Sequence, residues 1–186
     1  MSKIDVENFL AYPPEFHALE TVMRVQAVKR WHMLEVSRTQ TLAEHSCNVA
    51  LLAALIARTA PHSFFDAWTK VAYAALVHDV PESFTGDTPS HTKQYISGLS
   101  DLEDKVTPPA MKTVVSPDTK ILIKMCDFAD GIRFIRLHGV DLTARHAQVQ
   151  IEAKLAEKFK EASGWKVEVY NFVYRHIMFY AYEKVE

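Results

Sequence analysis

The sequence predicts an all-α protein, an irregular helical bundle, and three observations carry that expectation. Only 5 of its 186 residues are glycine. Period-2 alternation of apolar and polar residues is scarce, and helix start and stop signals recur along the whole chain. The length predicts a single domain over residues 1–186, with enough chain to bury a sizeable core. No internal repeat, linker or low-complexity stretch interrupts it.

In chain order, Pro13-Pro14 precedes an amphipathic run with Phe16, Leu19, Val22, Met23 and Ala27 at helical spacing, ending near Arg30-Trp31. A polar loop covers Glu35 to Gln40. Thr41-Leu42-Ala43-Glu44 reads as a capping box, Thr41 accepting from the Glu44 amide and Glu44 reaching back. The helix it opens carries Val49, Leu52, Ala53 and Ile56 and stops before Pro61. A helix over about Asp66 to His78 follows, broken by Pro81, and Phe84-Thr85-Gly86-Asp87-Thr88-Pro89 has turn chemistry. Ser100-Asp101-Leu102-Glu103 reads as a second capping box before Pro108-Pro109. Ser116-Pro117, an N-cap with proline at N1, starts a long helix ending at His138-Gly139. Asp141 caps the next, which stops at Ser163-Gly164. An aromatic-rich helix closes the chain, and its apolar character on several faces predicts a homodimer or higher homo-oligomer.

The formal net charge is -2, so there is no basic footprint for duplex nucleic acid; a small phosphorylated ligand needs only a local cluster of positive groups. No apolar run reaches the roughly 18 residues that cross a bilayer, so no membrane partner is expected. Met1 to Asp5 shows no signal-peptide pattern, and 2 cysteines are too few for a disulfide framework. The expected setting is a reducing cytoplasm. Cys47 and Cys126 read as small buried thiols.

A His-Asp dipeptide carries little weight alone, but His78-Asp79 ends an apolar helix. A charged pair there is costly unless it is paired or binds a metal. His45 sits in the first turn of the capped helix, and Asp127 lies inside the long helix beside Ile123, Met125 and Phe128. Three rigid helices can thus offer two imidazoles and two carboxylates to one point, a mixed N/O set suited to a borderline divalent metal. Periodicity leaves Asp127 and Asp130 as competing ligands, and Asp127 could instead pair with Lys124 or Arg133. Arg30 offers a planar fork matched to phosphate or, alternatively, a cation at a helix C-terminus. Lys93 reads as a second phosphate cation or a solvated loop lysine. His91 could touch substrate.

Arg30-Trp31, Glu44-His45-Ser46, His78-Asp79-Val80-Pro81-Glu82, Thr85-Gly86-Asp87-Thr88-Pro89 and Lys124-Met125-Cys126-Asp127 occur in this order. Together they resemble the HD-domain 5'-deoxynucleotidases of the YfbR type, over roughly residues 20 to 138; related phage enzymes remove triphosphate from dATP. The resemblance implies an HD-type helical bundle. It implies a metal held by His45, His78, Asp79 and Asp127, with Co, Mn, Zn, Fe or Ni as the divalent ions to consider. It implies that Arg30 grips phosphate, that Trp31 lines a pocket favouring deoxyribose, and that Glu82 and Asp87 serve the hydrolytic water or leaving group. The chain departs from the family at His32, where proline is common. The stretch from Gln94 to Ser116 is also shorter than in the bacterial enzymes, which leaves room for a triphosphate.

The expected activity is therefore release of the 5' phosphate from deoxynucleoside monophosphates, with a dATP-type triphosphohydrolase as the nearest alternative. A non-catalytic nucleotide-binding module is the alternative of another class. A two-metal phosphodiesterase would need a second set of ligands, and the sequence offers none that convinces.

Overall fold

The structure, a computed structural model, describes residues 14–93 and 95–183, without the side chains of residues 14–17, 90 and 91. The expected roles of Phe16 and His91, and of Pro13, lie outside the described residues. The α-helices are α1 (Pro14–Arg24), α2 (Leu42–Thr59), α3 (Trp68–Leu76), α4 (Glu82–Thr85), α5 (Ser90–Lys93), α6 (Leu99–Val106), α7 (Pro117–His138), α8 (Leu142–Glu161) and α9 (Val167–Tyr182). Short 3-10 turns occur at Pro61–Ser63, Pro109–Met111 and Ala162–Gly164. Among the described residues there is no sheet, only isolated bridges of Lys29 with Thr41 and Val36 with Gly139.

The centre of the bundle is α7, packed against α2, α3, α8 and α9. Its buried positions run round the helix, including Leu122, Met125, Ala129, Ile132 and Ile135, as expected of a helix surrounded by others. Val49, Leu52, Ala53 and Ile56 of α2 meet Val71, Ala74 and Ala75 of α3 in the same core, with Leu155 and Phe159 of α8 and Val169, Val173 and Ile177 of α9. Each fully buried Val, Leu, Ile or Met side chain of this set contributes about 1.5–3 kcal/mol. No helix of the described residues is long and apolar enough to cross a membrane.

Several caps form as the residue types predict. Thr41 accepts from the Glu44 amide, Ser116 from the Thr119 amide and Asp141 from the Ala144 amide. Others do not. The Glu44 carboxylate is paired with Arg38, which leaves the first capping box half made. The second is absent: α6 starts behind Gly98 in the left-handed region (φ 76°), and Glu103 pairs with Lys93. The first helix stops at Arg24 rather than near Arg30-Trp31, because the backbone turns to pair with the approach to α2 (Arg30 N to Gln40 O, 2.9 Å; Leu42 N to Val28 O, 2.9 Å). Leu19, Val22 and Met23 are exposed rather than core.

Asp66 does not belong to α3. Its carboxylate accepts from the Ser116 amide at 2.7 Å and from Lys70 at 3.0 Å, while its own amide donates to the Thr119 hydroxyl, tying the loop to the start of α7. The chain leaves the helical path already at Val77, and Pro81 opens α4 instead of breaking α3. In α9, Val169, Val173, Ile177 and Ala181 are core, while Val167 and Phe179 are exposed. Cys126 is buried as expected, but Cys47 is exposed.

Candidate metal centre and cavity

The N-cap of α2 places His45 one turn inside the helix, fully buried. The turn after α3 places His78 and Asp79, and the middle of α7 places Asp127. One potential ligand atom from each of His45, His78, Asp79 and Asp127 lies within 4.8 Å of the others. His45 Nε2 is 3.2 Å from Asp127 Oδ1 and 3.5 Å from Asp79 Oδ2, and His78 Nε2 is 3.1 Å from Asp79 Oδ2. None of these approaches has hydrogen-bond geometry, and both Nε2 atoms are buried without a hydrogen-bond partner.

The other ring nitrogens explain why. His78 Nδ1 donates to the Ala75 carbonyl at 2.7 Å, and His45 Nδ1 donates to Asp130 Oδ2 at 2.7 Å. A carbonyl and a carboxylate accept only, so each Nδ1 carries a proton and each Nε2 turns toward the cluster. Two imidazole lone pairs and two carboxylates converging in a buried spot are the donor set a borderline divalent metal takes, and the orphaned Nε2 atoms fit it.

The charges respond to this crowding. Burial and Arg30 both oppose protonation of His45, yet Asp127, Asp130 and Asp79 raise it to about 10, so a metal that takes the Nε2 lone pair displaces a proton there. Burial would push Asp79 up, but His78, His45 and Arg30 hold it well below the usual carboxylate range. Asp127 behaves alike, with Lys124 and His45 outweighing burial.

Asp130 is the residue whose part the sequence left open. It is buried, and it accepts from His45 Nδ1, Gln40 Nε2, Asn48 Nδ2 and the Tyr180 hydroxyl, at 2.7, 2.8, 3.0 and 2.8 Å. A carboxylate has about four lone-pair directions. All are taken, so Asp130 sits behind His45 and Asp127 faces the cluster.

Beside the cluster opens a cavity of about 380 Å³. Arg30, Trp31, Asp79, Glu82, Asp87, Lys93 and Asp127, all singled out from the sequence, line it. Arg30 is buried, 3.2 Å from Asp79 and 4.0 Å from Asp87, with its Nε unpartnered. Trp31 has a left-handed backbone (φ 63°), a strained conformation for a bulky residue. Its amide donates to Asp87 at 3.3 Å, its indole N–H donates to Gln40 at 2.8 Å, and its ring stacks on Phe134. Gly131 lets the ring lie against α7: a Cβ there would meet Trp31 at 3.3 Å.

Glu82 is buried, with Oε1 2.8 Å from Lys93 and Oε2 unpartnered. Burial and the neighbouring Asp79 push its carboxyl up to about 7 against the pull of Lys93. Lys93 itself is held between Glu82 and Glu103 (3.0 Å), so its ammonium is already engaged. A cation that the sequence did not single out for substrate, Lys124, lines the cavity 2.5 Å from Asp127. The wall also includes Ala147, Gln150, Ile151 and Lys154 of α8. Their helical spacing is the ordinary pattern of a surface helix, so nothing in the sequence marked them.

The profile of the family described as 5'-deoxynucleotidase YfbR-like matches residues 17–117. A dATP triphosphohydrolase of Salmonella phage PMBT28 is 32% identical over 127 residues, covering 63% of this chain and 66% of that protein. The dATP triphosphohydrolase of Cyanophage S-2L is 30% identical over 138 residues, covering 69% and 77%. The 5'-deoxynucleotidase YfbR of Salmonella paratyphi B is 29% identical over 86 residues, covering 45% and 43%. The solved structure of the Cyanophage S-2L HD phosphohydrolase (DatZ), bound to dA and one catalytic Zn2+ ion, superposes with a TM-score of 0.70 and 25% identity, covering 86% of this chain and 92% of that one.

Proposed function

This chain belongs to the YfbR-like family of HD-domain hydrolases, and from that membership we propose that it is a divalent-metal-dependent phosphohydrolase of deoxynucleotides. One observation carries the reading: two buried imidazole Nε2 atoms without partners meet two carboxylates at the edge of a cavity that also holds Arg30. We assign His45, His78, Asp79 and Asp127 as the metal ligands. A bound divalent metal supplies charge for the phosphate oxygens and lowers the pKa of the attacking water.

The chain's own residues do the rest. Arg30, on the cavity wall, offers its fork to the phosphate. Lys124 adds positive charge on the same wall. Trp31 presents its ring to the sugar. Glu82, on the cavity wall, takes the proton of the attacking water and exchanges it near neutral pH, because burial holds its carboxyl at about 7. Asp87 holds the Arg30-Trp31 turn through the Trp31 amide and faces the cavity, where it serves the leaving group. Lys93 orients Glu82 rather than gripping phosphate.

Two products separate the readings. The family description favours inorganic phosphate from deoxynucleoside monophosphates. The phage dATP triphosphohydrolases match over 127 and 138 residues against 86 for the bacterial enzyme, and this longer match favours triphosphate release from a dATP-type substrate. A panel of dNMPs, NMPs and dNTPs with Mn, Co, Zn and Mg, its phosphate products resolved by ion chromatography, decides. We expect hydrolysis of a deoxynucleotide, lost in His78→Ala and Asp79→Ala; no turnover with any metal would overturn the reading.

We propose a single catalytic domain over residues 1–186, a reading supported by a cavity wall that draws on residues from Arg30 to Lys154. The proposed setting is cytoplasmic, consistent with the free thiols of Cys47 and Cys126. A homo-oligomer is supported by the exposed Leu51 and Leu55 on α2 and Phe179 on α9.

A further inference from the structure

We propose that Gln40 is a positioning residue that couples the sugar-side wall of the cavity to the metal ligand His45. The inference rests on the metal-site reading above and adds a residue to it. Gln40 lies in the segment just before α2 and is 1% exposed. Its Oε1 accepts from Trp31 Nε1 at 2.8 Å, and its Nε2 donates to Asp130 Oδ2 at 2.8 Å. The same Asp130 Oδ2 accepts from His45 Nδ1 at 2.7 Å. The chain Trp31–Gln40–Asp130–His45 therefore runs unbroken from the cavity wall to the buried imidazole.

The chemistry of the two ends dictates the middle. An indole N–H can only donate, and an ionised carboxylate can only accept. The side chain between them must accept on one side and donate on the other, at fixed separation, without charge. An amide of this length does that; a methionine satisfies neither end, and a glutamate sets a second carboxylate against Asp130. The backbone of Gln40 adds to the hold, because its carbonyl accepts from the Arg30 amide at 2.9 Å. One residue thus fixes the Arg30-Trp31 turn and the acceptor that orients His45. Partners behind a metal-bound histidine set ring orientation and basicity, and losing one costs about 10–100-fold in metal affinity or activity.

The test is Co2+ titration of the metal-depleted chain, read by calorimetry and by the visible absorption of the bound ion, beside nucleotide KM. Gln40→Met is expected to weaken Co2+ binding about tenfold or more, change the absorption band and raise KM. Trp31→Phe removes the indole donor, leaves Gln40 and Asp130 in place, and stays informative where Gln40→Met fails to fold. It is expected to weaken Co2+ binding several-fold although Trp31 is no ligand; a purely local sugar contact would raise KM alone. Unchanged Co2+ affinity and spectrum in either folded variant overturns the coupling. A wild-type chain that binds no Co2+ overturns the metal-site reading instead, so the two failures are distinct.

Discussion

At the scale of single residues, most of the site's character comes from buried polar atoms that no other protein group pairs. Glu82 has one oxygen on Lys93 and the other buried and unpartnered, with its carboxyl held at about 7. That is the description of a proton carrier at neutral pH. Glu82→Gln keeps the shape and the contact distance to Lys93 but cannot take a proton. It should lower kcat by about 10²–10⁴-fold with little change in KM, measured by steady-state phosphate release; a kcat within twofold of wild type would remove Glu82 from the chemistry. Asp127 and Asp130 show how neighbouring carboxylates divide the work. Both were legible as candidates, but one faces His45 Nε2 and the other holds His45 Nδ1. Only the positions of Gln40, Asn48 and Tyr180, far away in sequence, decide which is which.

At the scale of elements, the helix carrying Asp127 is anchored at its start by a residue from another segment. Asp66 accepts from the Ser116 amide and from Lys70, and these contacts lower its carboxyl below the usual carboxylate value. A folded-state value depressed in this way contributes stability that is present above the unfolded value of about 3.9 and is lost as pH falls through the folded one. Asp66→Asn should therefore cost about 1 kcal/mol at pH 7, discounted from stronger charged bonds because the site is partly solvated. The gap to wild type should narrow below about pH 4. Thermal melts of both proteins at pH 7 and pH 3 check it, and a gap independent of pH would refute the charged anchor. The capping pattern marked Ser116 correctly, but a side-chain contact reaching 50 residues along the chain leaves no local trace, so the sequence placed Asp66 in α3.

At the scale of the whole molecule, the site joins α2, α7 and the turn after α3 at one point, so whatever fills it braces the bundle. A ligand that binds only the folded chain stabilises it by about 2.7 kcal/mol at a hundredfold excess over Kd, or roughly 5–10 °C in Tm for a chain of this size. Chelation should lower Tm by that amount and Co2+ or Mn2+ should restore it, with His78→Ala insensitive to both; a wild-type Tm indifferent to chelator and metal would count against the site. The sequence by itself determined the helical class and the starts of three long helices behind Thr41, Ser116 and Asp141, because caps are local signals; it offered His45, His78, Asp79 and either Asp127 or Asp130 as candidate ligands, and only the family resemblance chose Asp127. It also marked Arg30, Trp31, Glu82 and Asp87, through a motif order that resembles a family. Only the tertiary structure decided that Arg30-Trp31 leaves the helix for a strained turn, that Lys93 serves Glu82, that α8 closes the cavity and that Gln40 joins Trp31 to His45. Those are pairings between segments distant in the chain, and no periodicity or cap encodes which distant partner a side chain meets once the core has closed.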